Sequence, residues 1–144
     1  MRYKGAGEIY IGPDLRTVKR LGLIAGGSGI TPMYQLIKGV SEDPEAKTEI
    51  TLLYANKTEE DILMNRELKE LKAKRNYIWR NTLETTPANW TDYKGFITKD
   101  MIQELFPNPT PETLICMCGP QPMNKMVLES LVAMGYSTSN LFKF

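Results

Sequence analysis

Two glycine-containing turns carry the residues whose types and spacing could do chemistry. The first, Ala25-Gly26-Gly27-Ser28-Gly29-Ile30-Thr31-Pro32, follows the apolar run Leu21-Gly22-Leu23-Ile24-Ala25. Glycines let a backbone approach a ligand, and free N–H groups at a helix start favour an anion such as pyrophosphate. Ser28 and Thr31 add hydroxyl donors. The turn has neither the G-x-G-x-x-G spacing nor the G-K-[ST] of a P-loop, and its glycines also suit a tight turn needed for sterics alone. The second, Cys118-Gly119-Pro120-Gln121-Pro122-Met123, again leads from an apolar run towards a helical pattern. Gly119 permits close approach and Pro122 suits a first helical turn. Cys118, the last residue before the turn, could line a crevice with its sulfur; a packed thiol is the alternative.

The chain contains no histidine. That removes a His general base, Ser-His and Cys-His nucleophile pairs and His metal ligands. Chemistry must come from a cofactor or from other groups. Cys116 and Cys118 flank Met117 and share one face of an extended run, a poor geometry for a mutual disulfide. Two thiols without histidine cannot complete a four-ligand zinc or iron–sulfur site, so no metal site is expected. Cys116, further inside its run, reads as a buried reduced thiol of a cytosolic-type protein.

A length of 144 residues is enough for one domain with a core and too short for two comfortable ones. Hydrophobic residues at 42% and charged residues at 24% describe an ordinary globular chain and argue against disorder or a fibrous repeat. The net charge of +1 supplies no field to draw nucleic acid or an anionic membrane. No run approaches ~18 apolar residues, and Met1-Arg2-Tyr3-Lys4-Gly5 lacks a signal-peptide core. The chain therefore reads as soluble and cytoplasmic, with no membrane contact evident in this segment.

The elements that must position the two turns alternate. Leu21–Ala25, Glu49–Ala55, Tyr77–Leu83 and Thr113–Cys118 read as buried strands, and Leu141–Phe144 as a short closing one. Between them, Met33, Leu36, Ile37 and Val40 fall at helical spacing after Thr31 as N-cap and Pro32 as N1. Arg66–Lys72 is a charged helix with Leu68 and Leu71 on one stripe. A Pro- and Trp-containing loop follows the third strand, then a helix over 98–106 stopped by Pro107, Pro109 and Pro111. Met123–Met134 is helical, with Gly135 as its C′ residue. Near-continuously apolar strands separated by helices predict a doubly wound α/β domain, with about five parallel strands and helices on both faces. Residues 1–18 do not fit that scheme. Their alternating character and glycines read as the end of something else, or as an edge hairpin and linker.

The two turns together resemble the nicotinamide-nucleotide-binding lobe of the ferredoxin–NADP reductase superfamily. Within it the chain looks most like cytochrome b5 reductase and the similar reductase portion of nitrate reductase. The matching stretches are Gly26–Pro32, Tyr54–Leu63, Gly95-Phe96-Ile97, Cys118–Met123 and Phe142-Lys143-Phe144, and the resemblance covers essentially residues 3–144. The family usually has Thr where this chain has Ser28; the hydroxyl is kept.

The resemblance implies a set of roles. Gly26, Gly27, Ser28, Gly29, Thr31 and Pro32 would cradle the pyrophosphate of NADH and approach the flavin. Cys118 would lie beside the nicotinamide C4 and position hydride transfer, with Thr31 beside it in the catalytic set. Gly119, Pro120 and Met123 would shape that pocket, and Phe144 would sit near the flavin ring or else close the core. Asp61 would border the adenosine ribose, where a carboxylate accepts from a 2′-hydroxyl and repels a 2′-phosphate, with Asn56 among the cofactor-binding residues before it. Lys57 could attract a phosphate, but the balance favours NADH over NADPH, and Asp61 is also what a helix N-terminus favours.

These reductases carry an N-terminal β-barrel that binds FAD, and no Arg-x-Tyr-Thr/Ser motif precedes Gly26. The expectation is thus a fragment, with residues 1–18 the last strand and linker of the flavin domain and 19–144 the NAD-binding domain. Its partners would be the FAD-binding barrel of the same polypeptide and a haem protein such as cytochrome b5. It would lie in the cytoplasm, or on the cytoplasmic face of a membrane if the whole protein has an anchor. A stand-alone nucleotide-binding or interaction module without turnover is the competing reading.

Overall fold

Strands apolar on both sides must be covered on both sides, and this requirement organises the chain. The computed structural model describes residues 1–106 and 108–144, so Pro107, expected to help stop a helix, lies outside the described residues. β1 (Arg2–Gly5), β2 (Glu8–Ile11) and β3 (Asp14–Thr17) form an antiparallel meander. There follow β4 (Arg20–Gly26), α1 (Ile30–Ser41), β5 (Glu49–Asn56), α2 (Asn65–Lys74), β6 (Ile78–Leu83), β7 (Tyr93–Lys94), α3 (Lys99–Leu105), β8 (Thr113–Cys118), α4 (Gln121–Ala133) and β9 (Leu141–Lys143).

The second sheet has six strands in the order β7-β6-β5-β4-β8-β9, every neighbouring pair parallel. The side-chain period of two divides its core. Leu21, Leu23 and Ala25 of β4, Ile50, Leu52 and Tyr54 of β5, and Leu114 and Cys116 of β8 pack with Met33, Leu36, Ile37 and Val40 of α1 and Leu68 and Leu71 of α2. On the opposite face, Ile24, Leu53, Ile115 and Met117 meet Met101 and Ile102 of α3 and Val127 and Leu131 of α4. This is the expected doubly wound α/β domain.

Three expectations are corrected. The sheet has six strands, not about five, because Tyr93 and Lys94 pair with Thr82 and Leu83 in the segment expected to be loop. Two residues are too few to show a period. Asp92 holds them there by accepting from Arg80 Nε at 2.6 Å and from the Asn81 N–H at 2.8 Å. Thr31 is not the N-cap of α1: a single 3₁₀ turn at Gly27–Gly29 precedes the helix and Gly29 caps it. Residues 1–18 are a three-stranded sheet and not one hairpin, and their Ile9 and Val18 are buried in the same cluster as α1 and α2. Thr98 does cap α3, accepting from the Met101 N–H at 3.3 Å. Gly135 at φ +98° follows α4 in the conformation a C′ glycine adopts.

The tightest packing lies where β4 and β8 run side by side. A Cβ on Gly29 would drive into the Cys118 carbonyl, its carbon only 2.7 Å away. Gly29 itself is helical at φ −63°, so the constraint is space and not backbone conformation. Gly27, at φ +54° with nothing within 4 Å of a Cβ, has the opposite constraint. Gly29→Ala is expected to cost about 3 kcal/mol, the upper part of the overpacking range, because the obstacle is backbone. Gly27→Ala is expected to cost about 1 kcal/mol of left-handed strain. Urea unfolding of the two variants checks this, and equal losses would contradict it.

Alkali provides a second test. Burial, then the hydrogen bond to Asp43, pushes the Tyr3 hydroxyl up to about 12, and burial also raises Tyr77. Both hold their protons more tightly folded than unfolded. Their contribution is therefore complete below the unfolded value of about 10 and is lost as pH rises from there through the folded values. Thermal melts should show Tm falling from about pH 10 upward, less steeply in Tyr3→Phe. A flat profile between about pH 9 and 11.5 would count against these assignments.

Candidate functional site

Because all six strands are parallel, their carboxyl ends share one edge. β4 sends its chain through α1 to β5 on one side, whereas β8 sends its chain through α4 to β9 on the other. Chains diverge between β4 and β8, the kind of switch point at which open α/β sheets bind ligands. The two glycine turns end these two strands, which pair from Arg20↔Thr113 to Ala25↔Cys118.

The turns interlock. Gly29 lies against the Cys118 carbonyl, with Sγ 3.2 Å from where its Cβ would be. A Cβ on Gly26 would meet Met123 Sδ at 2.9 Å and Pro120 Cδ at 3.1 Å, and one on Gly119 would meet the Gly26 nitrogen at 3.3 Å. Gly26, Gly29, Cys118, Gly119, Pro120 and Met123 are thus one unit.

Electrostatics at this unit favour an anion. Neither α1 nor α4 has a side-chain cap hydrogen bond, and neither has an acid in its first turn. Their first N–H groups carry the positive end of the helix dipole. Ser28 and Thr31 are exposed. Pro32 is half-buried in the first turn of α1.

Of the two thiols, Cys116 is fully buried, and burial pushes it up to about 12, so it stays an inert core group. Cys118 is half-buried at the strand end. The β8–β9 register (Ile115↔Leu141, Cys116↔Phe142, Met117↔Lys143) carries Phe144 to the level of Cys118, and the Phe144 N–H donates to the Met117 carbonyl at 3.0 Å. Phe144 is 39% exposed and its ring stands edge-on to Phe142, centroids 4.9 Å apart. A thiol and an aromatic ring therefore end adjacent strands beside the glycine unit.

Further along the edge, Asn56 ends β5 and is buried, its side-chain amide beside the Tyr54 hydroxyl. Asn124 Oδ1, in the first turns of α4, has no partner among the described residues, while its Nδ2 donates to the Gly119 carbonyl at 3.0 Å. A polar ligand lying along this edge would supply a donor to Asn124 Oδ1; Ser41 Oγ, at the far end of α1, is also without a partner among the described residues. Asp61 is exposed, and its Oδ2 accepts from the Thr58 N–H at 3.1 Å and hydroxyl at 2.8 Å, forming a capping box that fixes the carboxylate.

Two residues to which sequence reasoning gave no role join them. Tyr54, fully buried, shares its hydroxyl proton between the carbonyls of Gly27 at 3.2 Å and Leu63 at 3.3 Å, and accepts from the Leu63 N–H at 3.1 Å. It ties the glycine turn to the loop carrying Asp61; a polar-tipped aromatic near a strand end was the available signal. Phe96, just beyond β7, is 75% exposed. Two surface hollows lie elsewhere, one of about 340 Å³ beside Met1 and Tyr10 and one of about 380 Å³ between Arg20, Glu49 and Phe106 at the strand amino ends. Neither touches the carboxyl edge, so the site rests on its donors and the unpartnered Asn124 Oδ1 and not on concavity.

Among the described residues no helix is long and apolar enough to cross a membrane. Rat NADH-cytochrome b5 reductase 1 is 43% identical over 154 aligned residues, covering 100% of this chain and 50% of the rat protein. Chicken NADH-cytochrome b5 reductase 2 is 44% identical, covering 99% of this chain and 50% of its own length. The crystal structure of the cytochrome b5 reductase domain of Ulva prolifera nitrate reductase matches with a TM-score of 0.89 at 36% identity, over 96% of this chain and 54% of that one. The chain thus spans about half the length of the curated relatives it matches. The family model described as oxidoreductase NAD-binding domain matches residues 23–129, across both glycine turns, and the chain belongs to that family.

Proposed function

We propose that this chain is the NADH-binding half of an FAD-dependent reductase of the NADH–cytochrome b5 reductase type. The observation that carries the reading is the interlocked pair of turns at the β4–β8 switch point, with helix N-termini free of side-chain caps beside Cys118 and Phe144. In this reading residues 1–18 belong to the end of the flavin lobe and its linker, and 19–144 form the NAD-binding domain. The electron acceptor is a haem protein such as cytochrome b5. The protein works in the cytoplasm or at the cytoplasmic face of a membrane.

The residues present fit a dinucleotide. N–H groups of the Gly26–Thr31 turn, with the Ser28 and Thr31 hydroxyls, hold the pyrophosphate; Gly27 leaves open space beside it, while Gly26 and Gly29 let the two turns close on each other. Cys118, with Thr31 across the interlocked turns, borders the nicotinamide, while Gly119, Pro120 and Met123 close that end of the groove. Asn56 and Asp61 border the ribose, and Phe96 gives the adenine an aromatic face. Phe144 shields the place where nicotinamide and flavin meet. When bound, the nicotinamide and the flavin supply the redox chemistry, a hydride passing from NADH C4 to the flavin. This chain contributes placement and exclusion of water. No side-chain acid or base is needed for that step, in keeping with a chain that has no histidine.

Titration of the chain with NADH and NADPH tests the reading. NADH should bind at least about tenfold more tightly, because the fixed Asp61 carboxylate repels a 2′-phosphate. Asp61→Ala should narrow the ratio, mainly by improving NADPH. No NADH binding, or NADPH binding equally well, would overturn the assignment.

A further inference from the structure

The small sheet β1–β3 is joined to the rest of the chain by two kinds of contact. Ile9 and Val18 bury their side chains in the core under α1 and α2. Such contacts hold surfaces together without setting an angle. The second kind is directional: Arg16 donates to the Ser139 carbonyl, Thr48 Oγ1 donates to the Val18 carbonyl at 2.6 Å, and Tyr3 and Asp43 bind the β1–β2 turn to α1. The Tyr3 ring lies on α1 at Gly39, where a Cβ would meet its Cδ2 at 2.9 Å and its Cγ at 3.1 Å. Its hydroxyl donates to Asp43 Oδ2 at 2.7 Å and accepts from the Gly7 N–H at 3.1 Å.

Asp43 lies just beyond the end of α1 and gathers the turn between β1 and β2. The same Oδ2 accepts from the Ala6 N–H at 2.7 Å, while Oδ1 accepts from the Glu45 N–H at 3.0 Å. Ala6 sits at φ +52°, a left-handed conformation an alanine avoids unless its surroundings impose it. The loop bearing Asp43 is itself fixed. Arg75 donates to the carbonyls of Val40 at 3.1 Å, Asp43 at 3.3 Å and Ala46. One end of α1 is therefore clamped to the small sheet, and its other end is the glycine turn that interlocks with Cys118.

We propose that Tyr3 and Asp43 form a lock that sets the angle between the nucleotide-binding domain and the flavin-binding lobe, and that both are positioning residues for hydride transfer. The inference rests on the functional reading above, in which β1 continues from the flavin lobe. Rotation of β1–β3 about α1 would change how a lobe continuing from β1 meets the carboxyl edge, while leaving the interlocked Gly26–Thr31 and Cys118–Met123 turns in place. Charge-assisted hydrogen bonds to a carboxylate are short and directional, suited to resisting such a rotation.

The test uses the full-length, FAD-loaded protein and follows flavin reduction by NADH in stopped flow, alongside NADH affinity. Tyr3→Phe removes only the hydroxyl, and Asp43→Asn only the charge. Gly39→Ala pushes a methyl group into the Tyr3 ring while raising the helix propensity of α1, so it shifts the lock without weakening the helix. Each variant should slow flavin reduction about tenfold or more, with the NADH dissociation constant within about twofold of wild type. Wild-type rates in all three variants would overturn the lock, and so would parallel loss of rate and NADH affinity, the mark of a merely structural role. A wild-type flavin that NADH does not reduce would overturn the functional reading and the lock with it.

Discussion

Two adjacent parallel strands whose chains leave in opposite directions must end in turns that do not collide. In this protein that constraint falls on β4 and β8, and it is met by removing side chains. Gly29 leaves room for the Cys118 carbonyl, and Gly26 and Gly119 leave room for each other and for Met123. With no Cβ atoms between them the two turns pack directly against each other. The 3₁₀ turn at Gly27–Gly29 then delivers α1 with no side-chain cap at its start. Space, not affinity for a ligand, is what the glycines answer first; the anion-attracting edge follows from the same geometry.

Everything else at the edge is held relative to that unit. Tyr54 reaches from the core to the Gly27 carbonyl and to Leu63 on the Asp61 loop, so the part expected to meet pyrophosphate and the part expected to meet ribose share one hydroxyl. β9 brings Phe144 alongside Cys118 by backbone register alone. α1 runs from the glycine turn to the small sheet, which it meets through Tyr3 and Asp43. A domain without histidine has little acid–base chemistry to offer. In the proposed role its contribution would be geometric, and a geometric contribution needs rigid anchors of this kind.

Much of this was legible in the sequence because it depends on local pattern. Strands apolar on both faces, helices with one apolar stripe, and Gly-Pro punctuation follow from burial and backbone sterics that act over a few residues. The central strands β4, β5, β6 and β8 and the four helices could be read this way. The uneven fates of the two cysteines could also be read, since Cys116 lies inside its strand and Cys118 at the end. The two-residue β7 could not, because Asp92 and Arg80 make it from a distance. Nor could the start of α1, since the Cys118 carbonyl, remote in sequence, dictates a glycine cap.

The sequence by itself therefore determined the α/β class, the two turns and the absence of histidine chemistry. Each of these depends on residue type and near-neighbour spacing. Only the tertiary structure decided that the turns interlock, that Tyr54 joins the glycine turn to the Asp61 loop, and that residues 1–18 form a sheet clamped to α1. Those contacts join residues far apart in the chain. Their partners are chosen by strand order and register, which no local pattern encodes.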